Sequence, residues 1–154
     1  MAPTSFAIGH LLTSSNYDDN EKKVTGGRNG LGAKLTNIYS TKFIIETGEK
    51  STNKYYKQVF KNNMTRKEEP QITANKSNQD FTKITFTPEW ERFNMNGLED
   101  DTLDLLTKRV YDLAGVTNKR VKVWLNGELI QCTDFSMYAD MYLKSKELTE
   151  ELKD

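Results

Sequence analysis

The chain has 154 residues, enough for one domain with a real core, and nothing in the sequence suggests two. Lysine plus arginine number 22 and aspartate plus glutamate number 22, so no global charge draws the chain to nucleic acid, and only a local basic patch could do so. A single cysteine, Cys132, excludes an internal disulfide and agrees with a reducing compartment; no apolar run approaches a membrane span, and no secretory signal is read before the first motif.

Phe6, Ile8, Leu11 and Leu12 suggest a short helix with a buried stripe. His10, set among them without a cysteine or second histidine as co-ligand, reads as a packed neighbour rather than a metal ligand. The polar cluster Thr13 to Asn16 reads as a helix end with side-chain-to-backbone bonds. Asp18, Asp19, Glu21, Lys22 and Lys23 follow as a solvated loop, where two adjacent aspartates seldom converge on one ion.

GGRNGLGAKLTNIYS, residues 26 to 40, is the informative stretch. Gly27, Gly30 and Gly32 let the backbone approach a ligand closely, and Leu31, Leu35, Ile38 and Tyr39 then fall on one helical face. A helix beginning within or just after the glycines points its free N–H groups back into the loop and suits a phosphate. Arg28 and Lys34 could neutralise phosphate oxygens, and Asn29 could cap the helix. The loop is neither a Walker loop, since Lys34 falls one place late with no hydroxyl after it, nor a dinucleotide fingerprint, since no buried strand precedes it. On the glycines alone, a nucleotide loop and a flexible turn both stand.

Downstream, alternation at Phe43 and Ile45 followed by KYYKQVF after GEKSTN predicts a β-hairpin. Residues 61–80 read as a long polar surface connection, and FTKITFTPE resumes a strand stopped at Pro88. Asn96 and Glu99 form a capping pair for a helix carrying Leu103, Leu106, Val110 and Leu113 as far as Gly115. VKVWL turns at Asn126-Gly127 into Glu128-Leu129-Ile130, and Asp134 caps a last helix burying Phe135, Tyr138 and Tyr142, before a charged tail at 147–154. The fold class is α/β, more specifically α+β: a mixed, largely antiparallel sheet with four helices covering one face.

LLTSSNYDDNEKKVTGGRNGLGAKLTNIYSTKF, residues 11 to 43, closely resembles the ATP-lid segment of eukaryotic type II DNA topoisomerases, within the gyrase, Hsp90, histidine kinase and MutL ATPase superfamily. Weaker similarity runs through FTKITFTPEWERF, KRVYDLAGVTNKRVKVWLNG and MYLKS. The resemblance implies a two-layer sandwich and a single domain over 1–154 that is a piece of the ATPase domain, with a lid loop at about 14–30. It implies ATP contacts at Ser14, Ser15 and Asn16 on the nucleoside side, and a triphosphate wrap by Gly27, Arg28, Asn29, Gly30, Leu31, Gly32, Ala33 and Lys34. ATP with Mg²⁺ is the implied ligand, with DNA met through other domains of a nuclear, homodimeric parent and no membrane.

The family's general-base glutamate and magnesium-binding asparagine belong to a helix before the lid, followed by a DxGxG turn that reads adenine. None of these is found in residues 1–154, nor is the family's switch lysine; Glu49 to Asn53 has the spacing but lies in a polar turn after the lid. The expectation is therefore a fragment with no catalytic residue and no metal ligand of its own. Two further readings are a nucleotide-binding or interaction module without catalysis, and a nucleic-acid-binding domain. Balanced charge and aromatics at core spacing weigh against the second of these.

Overall fold

The computed structural model describes residues 30–151, with side chains through residue 144. The expected first helix at Phe6 to Leu12 and the charged run at 17–23 lie outside them. The chain separates after Asn94 into two compact units.

The first unit holds helix α1 (Gly32–Ile38) and strands β1 (Ser40–Glu49), β2 (Lys54–Lys61), β3 (Arg66–Lys67), β4 (Gln71–Ala74) and β5 (Phe81–Pro88), followed by a 3₁₀ turn (Trp90–Phe93). The sheet runs β3-β2-β1-β5, and β4 joins β2 along the same edge as β3. The hairpin expected from the alternation is present, with Phe43 opposite Phe60 and Ile45 opposite Gln58. On the other side of β1, Phe43 faces Phe86 and Ile45 faces Ile84. Every second residue of β1 and β2 therefore points to one face, and Phe43, Ile45, Tyr56 and Phe60 form the core there, with Met64 packed against it. Within the polar connection at 61–80, β3 and β4 pair with β2 through the main chain while their own side chains stay exposed, which is why apolar patterning does not reveal them.

Tyr55 and Glu46 show what the exposed face of this sheet contributes. The phenol donates to Oε1 of Glu46 at 2.6 Å. This bond, with help from Lys83 and Lys57, holds the Glu46 carboxyl below its ordinary range, and the same bond pushes the Tyr55 phenol up to about 12. A depressed carboxylate stabilises the fold above its unfolded value and loses that contribution as pH falls through its folded value. A raised phenol stabilises below its unfolded value of 10 and loses that contribution as pH rises toward 12. The melting temperature is thus expected to fall below about pH 4.5 and again between pH 10 and 12. Tyr55→Phe should flatten the alkaline limb and only weaken the acid one, since Lys83 still faces Glu46 at 3.5 Å. An unchanged alkaline limb in melts of that variant would refute the assignment.

The second unit comprises α2 (Asp100–Val116), the two-residue strands β6 (Trp124–Leu125) and β7 (Glu128–Leu129), and α3 (Phe135–Glu151). Asn126 and Gly127 turn between β6 and β7 at φ 50° and 87°, the left-handed pair that a two-residue hairpin requires. Asp134 caps α3 as expected, its Oδ1 accepting from the Met137 N–H at 3.0 Å. Gly115 is where α2 meets α3, because a Cβ there would lie 2.7 Å from both Cβ and Cγ of Tyr138.

Two expectations for this unit are corrected. The N-cap of α2 is Glu99, without a side-chain cap, so Asn96 does not form a capping box with it. The packed line of α2 is Val110, Tyr111 and Ala114, set against Ile130, Cys132 and Tyr138. Leu103, Leu106 and Leu113 are exposed, as are Phe135 and Tyr142 of α3. Helical spacing finds a stripe, but only the partner elements decide how much of it is covered. Among the described residues, three α-helices with antiparallel sheets place the chain in the α+β class.

Candidate functional site

Of the residues expected to contact nucleotide, Ser14, Ser15, Asn16, Gly27, Arg28 and Asn29 lie outside the described residues. Gly30, Leu31, Gly32, Ala33 and Lys34 lie within them and form a turn leading into α1. Gly30 adopts φ 60°, a left-handed conformation that costs another residue about 1–2 kcal/mol. Leu31 follows at φ −93° and ψ −24° as the N-cap, with no side-chain cap of its own; the capping expected of Asn29 lies outside the described residues. The first N–H groups of α1 therefore have no intrahelical acceptor, and among the described residues no capping side chain supplies one. Gly32 stands open: a Cβ there would meet no atom within 4 Å.

Lys34 is 2% exposed, and its ammonium donates to the Gly30 carbonyl at 2.5 Å. Among the described residues no carboxylate lies within ion-pair distance of it. An ammonium carries three donors, so a cation is held beside the glycine turn with capacity to spare for an anion.

The rotation of α1 differs from the expected one. Leu35 and Tyr39 are exposed, and the buried side is Lys34 and Asn37, continued by Ser40 at the start of β1. Bonds at the helix C-terminus set this rotation. Asn63 Nδ2 donates to the Ile38 carbonyl at 2.8 Å and to Glu89 Oε2 at 2.7 Å. The Glu89 N–H reaches the Tyr39 carbonyl at 2.9 Å, and the Asn63 N–H reaches that of Ser40 at 3.1 Å. Arg92 pairs with Glu89 at 2.5 Å, which depresses the Glu89 carboxyl, and its guanidinium lies 5.7 Å from the centre of the Tyr39 ring. Sequence reasoning missed these fasteners, since Asn63 and Glu89 sit in polar stretches with no pattern of their own.

Asn37 was missed as well. It is fully buried, one turn beyond Lys34, and among the described residues neither Oδ1 nor Nδ2 has a hydrogen-bond partner. An unsatisfied buried group costs about 1–3 kcal/mol, so a residue kept there is not kept for the stability of this chain. Asn37→Leu is expected to leave the melting temperature unchanged or raise it. A clear fall in thermal melts would show that the amide is satisfied in solution.

Among the described residues no group of three or more histidine, cysteine, aspartate or glutamate side chains could hold a metal ion, and no helix is long and apolar enough to cross a membrane.

No family model matches the chain. It is 58% identical over 138 residues to DNA topoisomerase 2 of Arabidopsis thaliana, covering 90% of this chain and 9% of that protein. To DNA topoisomerase 2 of Pisum sativum it is 59% identical over 140 residues, covering 91% and 10% respectively. The chain thus spans about a tenth of the length of the curated relatives it matches. Among solved structures, it superposes on the ATPase region of Saccharomyces cerevisiae topoisomerase II bound to ICRF-187 (dexrazoxane) with a TM-score of 0.88 at 47% identity, over 96% of this chain and 39% of that one. The ATPase and transducer domains of DNA topoisomerase II from Balamuthia mandrillaris match with a TM-score of 0.81 at 45% identity, over 90% of this chain and 36% of that one.

Proposed function

Since this chain belongs to the DNA topoisomerase 2 family, as a segment of its ATPase region, we propose that it supplies the lid-bearing part of an ATP site that drives DNA strand passage. Gly27 to Lys34 wraps the triphosphate, and Ser14, Ser15 and Asn16 meet the nucleoside. The whole of 1–154 serves as one functional piece of that ATPase domain, with the lid at about 14–30. DNA is engaged by other parts of a homodimeric parent that works in the nucleus.

The observation that carries this reading is Lys34, a buried ammonium beside a glycine turn with one carbonyl partner and no carboxylate among the described residues. Burying an unpaired cation is costly, and a polyphosphate would offset that cost by charge-assisted hydrogen bonds. Mg²⁺ bound with ATP neutralises charge on the phosphates. Its protein ligand and the general base are assigned to other parts of the parent, because the family's glutamate, asparagine and DxGxG motifs are not read in this sequence. No observation favours a module without catalysis.

The test is calorimetric titration of a non-hydrolysable ATP analogue into the complete ATPase region, with and without Lys34→Ala. A clear loss of affinity with an unchanged fold is expected, and equal affinity would refute the assignment. The chain by itself is expected to release no phosphate from ATP above a heat-killed control, because general-base catalysis supplies a factor of about 10²–10⁴ and the base is elsewhere. Release that Lys34→Ala abolishes would overturn that expectation.

A further inference from the structure

We propose that Asn96 is a site of spontaneous deamidation, closed by the backbone nitrogen of Gly97, and that the chain's other described Asn-Gly pair, Asn126-Gly127, is protected by its turn. The reaction needs no enzyme. The Gly97 amide nitrogen attacks Cγ of Asn96 and gives up its proton; the N–Cγ bond forms, the Cγ–Nδ2 bond breaks, and ammonia leaves. Water then adds to one carbonyl of the resulting succinimide and opens it to aspartate or isoaspartate.

Three local conditions govern the attack. The following residue must not crowd the nitrogen, its N–H must be free of an acceptor, and the asparagine must be able to rotate its side chain and ψ into line. Gly97 carries no side chain, and even a Cβ there would meet nothing within 4 Å. Asn96 is exposed, lies in a bend ahead of α2, and is not among the left-handed residues. Among the described residues neither Asn96 nor Gly97 has a hydrogen bond, main-chain bonding resuming where the Leu103 N–H reaches the Glu99 carbonyl. Among the described residues no hydrogen bond holds the pair out of the reactive geometry.

Asn126-Gly127 has the same chemistry and the opposite setting. Both residues are held left-handed, and the strands beside them are paired as Trp124 with Leu129 and Leu125 with Glu128. The Ile130 N–H closes the hairpin on the Val123 carbonyl at 2.9 Å. To react, Asn126 must first leave that turn, so its rate is reduced by the fraction of time the turn is open. A third pair begins at Asn29, outside the described residues, and carries no structural comparison.

Conversion at Asn96 places a carboxylate ahead of Glu99, Asp100 and Asp101 at the start of α2, where a helix N-terminus tolerates negative charge. An isoaspartate product also lengthens the main chain there by one methylene.

The experiment is incubation of the intact chain at mildly alkaline pH and physiological temperature, sampled over days and mapped by peptide mass spectrometry with isoaspartate detection. Asn96 is expected to convert several-fold faster than Asn126, and Gly97→Ala to slow it without changing Asn126. In denaturant the two rates should converge. Equal rates in the folded chain, faster conversion of Asn126, or a rate ratio unmoved by denaturant would each overturn the proposal.

Discussion

Gly32→Val in the full-length parent is expected to abolish nucleotide binding while the domain stays folded. The two halves of that expectation have separate physical causes. A Cβ at Gly32 meets no protein atom within 4 Å, so the added side chain has room, and valine at the first turn of a helix costs less than about 1 kcal/mol against the best helix formers. A phosphate wrapped by this turn must bring its oxygens to roughly 2.9 Å from backbone N–H groups, and the valine methyls would stand in that path. ATP-dependent strand passage should therefore be lost, while DNA cleavage without ATP persists. Lys34→Ala should be milder, removing a charge-assisted bond of about 1.5–3 kcal/mol and hence roughly tenfold to a hundredfold in affinity. Calorimetry alongside thermal melts separates the cases. Normal affinity in a folded Gly32→Val enzyme would show that this turn does not hold the phosphates.

What was legible in the sequence was what local chemistry decides. The hairpin of β1 and β2 follows from alternation, the Asn126-Gly127 turn from its residues' tolerance of positive φ, and the start of α3 from Asp134. The start of α1 was read from the glycines, but its rotation was not. Leu35 and Tyr39 look like a buried stripe until bonds from Asn63 and Glu89, 25 or more residues away in the chain, turn Lys34 and Asn37 inward. The strands β3 and β4 escaped because main-chain pairing leaves no hydrophobic trace when every side chain is exposed. For the site the limit is different. Glycines and a lysine suggested an anion loop, and the resemblance named the anion. Only coordinates showed that, among the described residues, Lys34 is buried with a single carbonyl partner and Asn37 beside it has none.

The largest stability effect is expected from Phe60→Ala. Phe60 is fully buried, its ring meets Phe43 edge-on at 6.3 Å, and Phe43 in turn stacks on Phe86 at 6.5 Å, so one aromatic row crosses three strands. Truncating a buried phenylalanine costs about 3–5 kcal/mol, against about 5–15 kcal/mol for the whole stability of a typical domain. Phe86→Ala removes the same atoms from the same row, but Phe86 is 49% exposed, and its loss should cost roughly half as much or less. Urea titrations followed by circular dichroism should therefore show a large shift in midpoint for Phe60→Ala and a modest one for Phe86→Ala. Equal shifts would mean that the buried face is not the one described. The consequence reaches the candidate site, because α1 is tied through Asn63 to the turn just after β2, two residues beyond Lys61. A sheet that opens at Phe60 releases that tie, and with it the rotation that buries Lys34, so nucleotide affinity in the complete ATPase region should fall together with the stability of the sheet.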